Sequence, residues 1–117
     1  MFNAILKDLT AKAGANGAIM LDHDGELVAS YSGSTDLDMD LIGAHHGIIL
    51  NIIRDASTRS AFKDVQSVSI STGKTRLAIS TLKDGYYLVL ATGKALPVGK
   101  ALFESKKAVR RLEAEMG

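Results

Sequence analysis

The sequence contains no cysteine and no tryptophan, and it has a single proline. Without cysteine, the chain can hold no disulfide framework, thiolate zinc site, iron–sulfur cluster or cysteine nucleophile. Its aromatic residues are three tyrosines and three phenylalanines. So few aromatic side chains argue against the stacking platforms that bind single-stranded nucleic acid.

Charge of one sign and long apolar runs are also scarce. Lysine and arginine total 14 against 13 acidic residues, so the net charge of +1 does not provide the basic field of a nucleic-acid binder. No stretch approaches the roughly 18 apolar residues of a membrane span. The segment from Met1 to Asp8 has no basic region followed by a cleavable apolar one. We therefore expect a cytoplasmic protein with no membrane span and no nucleic-acid partner.

What is present is typical of one globular domain covering residues 1–117. The chain is 46% hydrophobic and 23% charged, and its mean hydropathy is +0.11, values that argue against disorder. Apolar periodicity and turn signals predict the order α-β-β-α-β-β-β-α, an α+β fold with a five-stranded, mainly antiparallel sheet flanked by helices. The predicted elements are a helix from Phe2 to about Lys12 that is stopped by Gly14 to Gly17, a hairpin around Asp24-Gly25, a helix from about Leu37 to about Ser57, three strands between Asp64 and Thr92, and a last helix with Pro97 in its first turn. A tight turn is expected at Asp84-Gly85, and the strand that follows it is the most hydrophobic and is expected at the centre of the sheet. The apolar stripe of the last helix is predicted to be Val98, Leu102, Ser105, Val109, Leu112 and Met116, with Lys106, Lys107, Arg110 and Arg111 largely outside it.

The predicted helix from about Leu37 to about Ser57, here called the middle helix, has two distinct faces. One broad apolar face, which includes Ile48 and Ile52, is expected to pack on the sheet. Gly43, Gly47 and Leu50 form a second stripe on the opposite side. Each glycine costs about 1 kcal/mol relative to alanine inside a helix, so a close approach by another backbone is a reason for it. The alternative is that both glycines are merely tolerated on a solvated face.

Residues 66–71 alternate, with Val68 and Ile70 on one face and Ser67, Ser69 and Ser71 on the other. The serines indicate a half-exposed strand, which could be an edge that pairs with a second copy of the chain. Together with the glycine stripe, this edge would form a two-fold homodimer. An ordinary serine-rich surface is an equally simple interpretation of the strand.

Several possible chemical sites do not survive inspection of their spacing. Gly73-Lys74-Thr75 resembles the end of a phosphate-binding loop, but Val68 stands where the first glycine is required and a strand follows. Asp22, His23 and Asp24 are consecutive turn residues with no further ligands nearby. His45 and His46 are adjacent and lack the i, i+4 spacing of a helical zinc site. The sequence therefore predicts no catalytic residues, no metal site and no cofactor.

Five stretches together are typical of one protein family: Gly17 to Ala29, Val68 to Ser71, Leu77 to Ile79, Leu82 to Leu90 and Gly99 to Leu102. With these motifs, the chain resembles over nearly its whole length the roadblock / dynein light chain family, in its MglB-like prokaryotic form. The motifs belong to hairpins and core strands, so they indicate fold more than activity.

The resemblance implies profilin-like layers, with one helix on one face of the sheet and two on the other. It also implies a dimer in which the middle helices pack antiparallel and the third strands join the two sheets. The dimer residues would be Gly43, Gly47, Leu50, Val68, Ser69, Ile70 and Ser71.

The family's usual role implies binding of a small Ras-like GTPase and regulation of its nucleotide cycle, with no catalysis by this chain itself. Contacts would come from the outer face of the middle helix and from the loop Ser32 to Asp38. The predicted partner-binding residues are Asp36, His46, Arg54 and Arg59. The two arginines have the chemistry to stabilise phosphoryl-transfer charge.

Two other functions fit the same sequence. One is a scaffold or adaptor subunit that is indifferent to whether the partner holds GTP or GDP. The other is a small-molecule sensor with a pocket lined by Ile48, Ile52 and Leu88, although a dry core explains these residues more simply.

Overall fold

A computed structural model describes residues 2–24, 26–33, 67–72, 75–93 and 96–117, with the backbone alone for 67–72 and Thr75. Two long helices and five strands fall within these ranges. They are α1 (Phe2–Ala13), β1 (Gly17–Leu21), β2 (Leu27–Ser32), β3 (Ser67–Thr72), β4 (Thr75–Thr81), β5 (Tyr87–Gly93) and α2 (Val98–Met116). The predicted middle helix lies outside the described residues.

The strands form one sheet in the order β2-β1-β5-β4-β3. Every neighbouring pair is antiparallel, so the predicted α+β class with an antiparallel sheet and flanking helices is confirmed. The most apolar strand, β5, lies at the centre of the order, as its composition predicts.

Both faces of the two inner strands β1 and β5 are buried. All five residues of β1 are buried, as are the five inner residues of β5. On one face, Met20 and Leu88 pack with apolar residues of α1 and α2. On the other face, Ile19, Ile79 and Val89 belong to a separate buried cluster that includes no residue of α1 or α2. Both helices therefore cover the same face of the sheet.

Helix α1 ends where the sequence predicts, at a glycine. Gly14 has φ +68°, the left-handed conformation that favours glycine after the last helical residue. Its N–H donates to the Ala11 carbonyl (3.3 Å), and the next N–H, of Ala15, donates to the Thr10 carbonyl (3.0 Å). The N–H of Asn16 then donates to the Ala91 carbonyl of β5 (2.9 Å), so the chain leaves the helix directly into the sheet.

Helix α2 differs in two details from the sequence prediction. Pro97 precedes the helix as its N-cap residue instead of lying in its first turn. The buried face is centred on Ala101, Ser105, Ala108 and Leu112, while the larger Leu102 and Val109 are only partly buried. Alanine packs closer to the sheet than leucine or valine, so a prediction weighted by side-chain size places the centre of the stripe too far to one side.

The turn between β4 and β5 confirms the predicted Asp84-Gly85 turn. Asp84 has φ +61° and Gly85 φ +77°, and aspartate is among the few residues that tolerate this region. The Leu82 N–H donates to the Tyr86 carbonyl (2.7 Å) and closes the turn.

Neither of the two described helices combines the length and the hydropathy that a membrane-spanning segment needs.

A shared carboxylate joins α1 to α2. Asp8 lies 3.1 Å from the Lys12 ammonium of its own helix and accepts a hydrogen bond from Arg111 Nη1 of α2 at 2.6 Å. The hydrogen bond from Lys12, followed by that from Arg111, lowers the pKa of Asp8 from its usual value of 3.8. The charged carboxylate therefore stabilises the folded state above about pH 3.8, and this contribution is lost as pH falls through the lowered pKa.

Asp8→Asn should lower the urea midpoint of unfolding at pH 7, because it removes the charge that both cations contact. The difference from the wild type should narrow below pH 4 and in high salt, because protonation and screening weaken the same interaction. Glu115→Gln, an exposed change on α2, is the matched control and should show no such difference. A difference that stayed constant from pH 7 to pH 3 would contradict this account.

Candidate functional site

Strand β3 is an edge of the described sheet. It pairs with β4 from Ser67↔Ser80 to Thr72↔Thr75, and no described strand lies on its other side. Alternate residues of an edge strand direct their N–H and C=O groups away from the sheet. The predicted strand contact, Val68 to Ser71, is therefore at a position where a second strand could add.

Successive residues of β3 are paired with residues of β4 that alternate between the two buried clusters. Val68 is opposite Ile79, and Ile70 is opposite Leu77, both in the buried cluster remote from α1 and α2. Ser69 is opposite Ala78, which belongs to the cluster on the helix face. Alternate positions of β3 are therefore opposite residues of the two different clusters, and the half-exposed serine face stays a prediction.

The opposite edge, β2, has a different character. Its pairing with β1 is interrupted by a register shift between Met20 and Leu21. Leu27 and Val28 are 56% and 40% exposed at this end of the strand. Bulges of this kind twist an edge and hinder pairing with another strand, so the two edges of the sheet are not equivalent.

The remaining predicted interface residues lie outside the described residues. For the dimer contact these are Gly43, Gly47 and Leu50, and for the partner contact Asp36, His46, Arg54 and Arg59. Of the predicted contact loop, Ser32 ends β2 and the N–H of Gly33 donates to the Asn16 carbonyl at 2.8 Å. The loop therefore begins beside the end of α1.

The acidic residues around His23 act as turn residues, as their consecutive positions predict. One carboxylate oxygen of Asp22 accepts hydrogen bonds from the backbone N–H groups of Asp24 and Glu26, both at 2.9 Å. His23 is exposed beside Asp24, at 3.4 Å, and its ring lies 6.5 Å from that of Tyr86. Within the described ranges, no group of three or more histidine or acidic residues could hold a metal ion.

The strand after Gly73-Lys74 confirms that this segment lacks the context of a phosphate-binding loop. Antiparallel strands precede and follow it, with Thr72 opposite Thr75, whereas the phosphate-binding motif requires a helix after it. Leu88, offered for a sensor pocket, is fully buried in the cluster with α1 and α2. Its surroundings favour the dry-core interpretation.

An open groove between α2 and β4 is a feature that sequence reasoning missed. It has a volume of about 800 Å³, with Ser80 and Thr81 on the strand side and Leu102, Phe103 and Lys106 on the helix side. Phe103 is 61% exposed. The sequence signal is the position of Phe103 on the helix. When each residue of α2 is assigned to a face, this large apolar side chain falls outside the buried stripe.

Comparison with known proteins agrees with this geometry. A family model for the Roadblock/LC7 domain matches residues 1–92. Among solved structures, Myxococcus xanthus MglB superposes with a TM-score of 0.82 at 17% identity over 98% of this chain and 94% of that one. The gliding protein MglB of Thermus thermophilus gives 0.83 at 16%, over 97% and 86%.

A further structure, described as MglB with a tetrameric arrangement, gives a TM-score of 0.84 at 16% identity over 97% of this chain and 85% of that one. No curated protein matches the sequence. At these identities the structural matches show the fold alone.

Ser69→Lys tests whether β3 is a contact between copies of the chain. A lysine in an edge strand hinders pairing with another strand, so the mass from light scattering should shift toward the monomer. Ser30→Lys, at an exposed position of the other edge strand, is the matched control and should leave the mass unchanged. Equal masses for the wild type and both variants would contradict a β3 contact.

Proposed function

Since this chain belongs to the Roadblock/LC7 domain family, we propose that two copies form a platform that binds a small Ras-like GTPase and regulates its nucleotide cycle. The observation that carries the proposal is the superposition of nearly the whole chain on MglB proteins. The resemblance noted in the sequence implies this role for the bacterial branch of the family.

The position of β3 at an edge of the described sheet supports the proposed dimer. Strand-to-strand pairing there would extend the sheet across two copies, with main-chain hydrogen bonds supplying the contact. The stripe of Gly43, Gly47 and Leu50 is proposed to form the second contact, since glycine permits two helix backbones to approach closely. One similar structure is of an MglB in a tetrameric arrangement, and its fold is therefore compatible with assembly from several copies.

The proposed platform contributes surface and positioning, and the GTPase keeps its own catalytic residues. Binding energy from a platform can order the partner's loops in the conformation that hydrolyses GTP. Asp36, His46, Arg54 and Arg59 are proposed to contact the partner. The guanidinium groups of Arg54 and Arg59 match the charge of a phosphate or carboxylate.

Gly47→Leu should obstruct the proposed helix contact and shift the protein toward the monomer in light scattering. Gly99→Leu provides a matched glycine-to-leucine control in α2, because a Cβ at Gly99 would meet nothing within 4 Å. The control should keep the wild-type mass. A fully dimeric Gly47→Leu variant would show that the glycine stripe is not the contact.

A pull-down from lysate of the source cell tests the GTPase partner directly. The purified protein is the bait, in parallel with a non-hydrolysable GTP analogue and with GDP. Enrichment of a small GTPase only with the analogue is the expected result, and Arg54→Gln with Arg59→Gln should reduce it. Lys107→Gln, on α2, is the control that should not.

The two remaining outcomes of the pull-down are distinct. A GTPase enriched equally with both nucleotides would favour a scaffold or adaptor that is indifferent to the nucleotide state. The absence of any GTPase with either nucleotide would contradict the proposed function.

A further inference from the structure

The groove between α2 and β4 has two chemically different ends. Toward the beginning of α2 it is lined by the exposed Phe103 and the partly buried Leu102. Farther along the helix it is lined by Lys106 and Arg110, both exposed. The groove is thus apolar at one end and basic at the other.

The four basic residues of this part of α2 divide into two pairs. Lys107 lies 3.4 Å from Glu104, and Arg111 contacts Asp8 at 2.6 Å. Lys106 and Arg110 line the groove and have no acidic partner among the described residues. Since adjacent helical residues point about 100° apart, Lys106 and Arg110 line the groove while Arg111 points toward α1. The Lys107 ammonium lies over the ring of Phe103, 5.0 Å from its centroid, so Lys107 borders the apolar end of the groove.

The acidic residue that shares the groove is already engaged. Glu113 accepts a hydrogen bond from the backbone N–H of Lys83 at 2.8 Å, which holds its carboxylate at the turn between β4 and β5. The Lys83 ammonium donates to the Gly117 carbonyl. Glu113 keeps its negative charge, but it forms no ion pair with Lys106 or Arg110 among the described residues. Both cations are therefore available to an anionic ligand.

The floor of the groove is polar. Ser80 is 2% exposed, and its hydroxyl lies in the seam with α2 without a hydrogen-bond partner among the described residues. The Ser105 hydroxyl of α2 is also buried and has no hydrogen-bond partner among the described residues. Ser80 and Thr81 are the polar residues on the strand side of the groove.

We propose that this groove binds an extended acidic peptide segment of a partner protein. An apolar side chain of the peptide lies against Phe103 and Leu102, and two carboxylates contact Lys106 and Arg110. The site goes beyond the proposed function and does not depend on it, because its described lining residues belong to α2, to β4 and to the segment that follows β4.

The spacing of the two cations favours an extended ligand. Four residues of a helix advance about 6 Å, and two residues of an extended chain advance about 6.6 Å. Carboxylates two residues apart therefore match Lys106 and Arg110. The matching peptide pattern is an apolar residue, any residue, an acid, any residue and a second acid.

Other anionic partners fit the groove less well. A nucleic acid is bound through many phosphate contacts. This groove offers two cations that have no acidic partner among the described residues, in a chain of net charge +1. A lipid surface is broad and contacts a protruding face, whereas these cations line a concave groove beside an engaged carboxylate. A peptide carrying both apolar and acidic groups complements both ends of the groove.

The test uses a library of fluorescein-labelled peptides of the pattern leucine or phenylalanine, x, glutamate, x, glutamate, with x varied. Each peptide is paired with one in which both glutamates are glutamine. Fluorescence anisotropy should find glutamate peptides that bind at least about tenfold more tightly than their glutamine partners, because charge complementarity provides the discrimination. A library in which no glutamate peptide exceeds its partner would overturn the proposal.

Two variants of equal charge change locate the binding. Lys106→Gln with Arg110→Gln should weaken the selected peptide about tenfold or more. Lys7→Gln with Lys12→Gln, two exposed positions on α1 that leave the contact between Arg111 and Asp8 in place, should change it by less than about twofold, because distant exposed charges are screened. Equal weakening in both variants would indicate general charge attraction and overturn the proposal.

Two further measurements distinguish a peptide ligand from a membrane surface. Phe103→Ser should abolish the preference for leucine over serine at the first peptide position, while the preference for glutamate remains. Phosphatidylserine vesicles should not bind through these residues. Vesicle binding that is lost with Lys106→Gln and Arg110→Gln, in the absence of peptide binding, would overturn the proposal in favour of a membrane surface. Melting temperature and mass confirm that each variant is folded in the same assembly.

Discussion

The structure depends on the burial of both faces of β1 and β5. Their side chains are apolar on either side of the sheet, and each face must be removed from water at roughly 25 cal/mol for every Å² of apolar area. On one face α1 and α2 meet this requirement. On the other, Ile19, Ile79 and Val89 are equally buried. A two-sided core of this kind fixes the sheet order, because the most apolar strands must occupy its centre.

The two edge strands of the described sheet, β2 and β3, differ in their regularity. At β2 a register shift and exposed Leu27 and Val28 distort the edge. At β3 the ladder to β4 is regular through six residue pairs. Regular pairing on one side preserves the straight hydrogen-bonding pattern that a further strand can continue on the other. The difference between the edges is consistent with the proposed contact at β3.

Most of the fold could be predicted from the sequence because its signals are local. Gly14, Asp84-Gly85 and the apolar run of β5 each specify a turn or a strand through conformational preference or burial, and each lies where predicted. The family followed from the same elements. These signals say nothing of the angle at which α2 crosses the sheet, which depends on packing between distant residues.

The errors in α2 have the same cause. A stripe ranked by side-chain size gives weight to Leu102 and Val109, but contact with the sheet selects Ala101 and Ala108. With the stripe misplaced, the sequence does not indicate that Lys106 and Arg110 line a groove. The predicted interface residues between 34 and 66 stay predictions from the sequence. The described structure bears on the predicted interface only through the edge position of β3.

The alanines under α2 also determine how deep the groove can be. Ala101 and Ala108 are 2% and 4% exposed, so they fix the height of the helix above the sheet without lining the groove. A methyl group added beneath the helix would lift one wall, because packed cores respond to a change of even one methylene. Such a change would alter the depth of the groove, and so the shape of ligand that fits it, while the side chains that line the groove stayed the same. The residues that select the ligand and the residues that shape its space can therefore evolve separately.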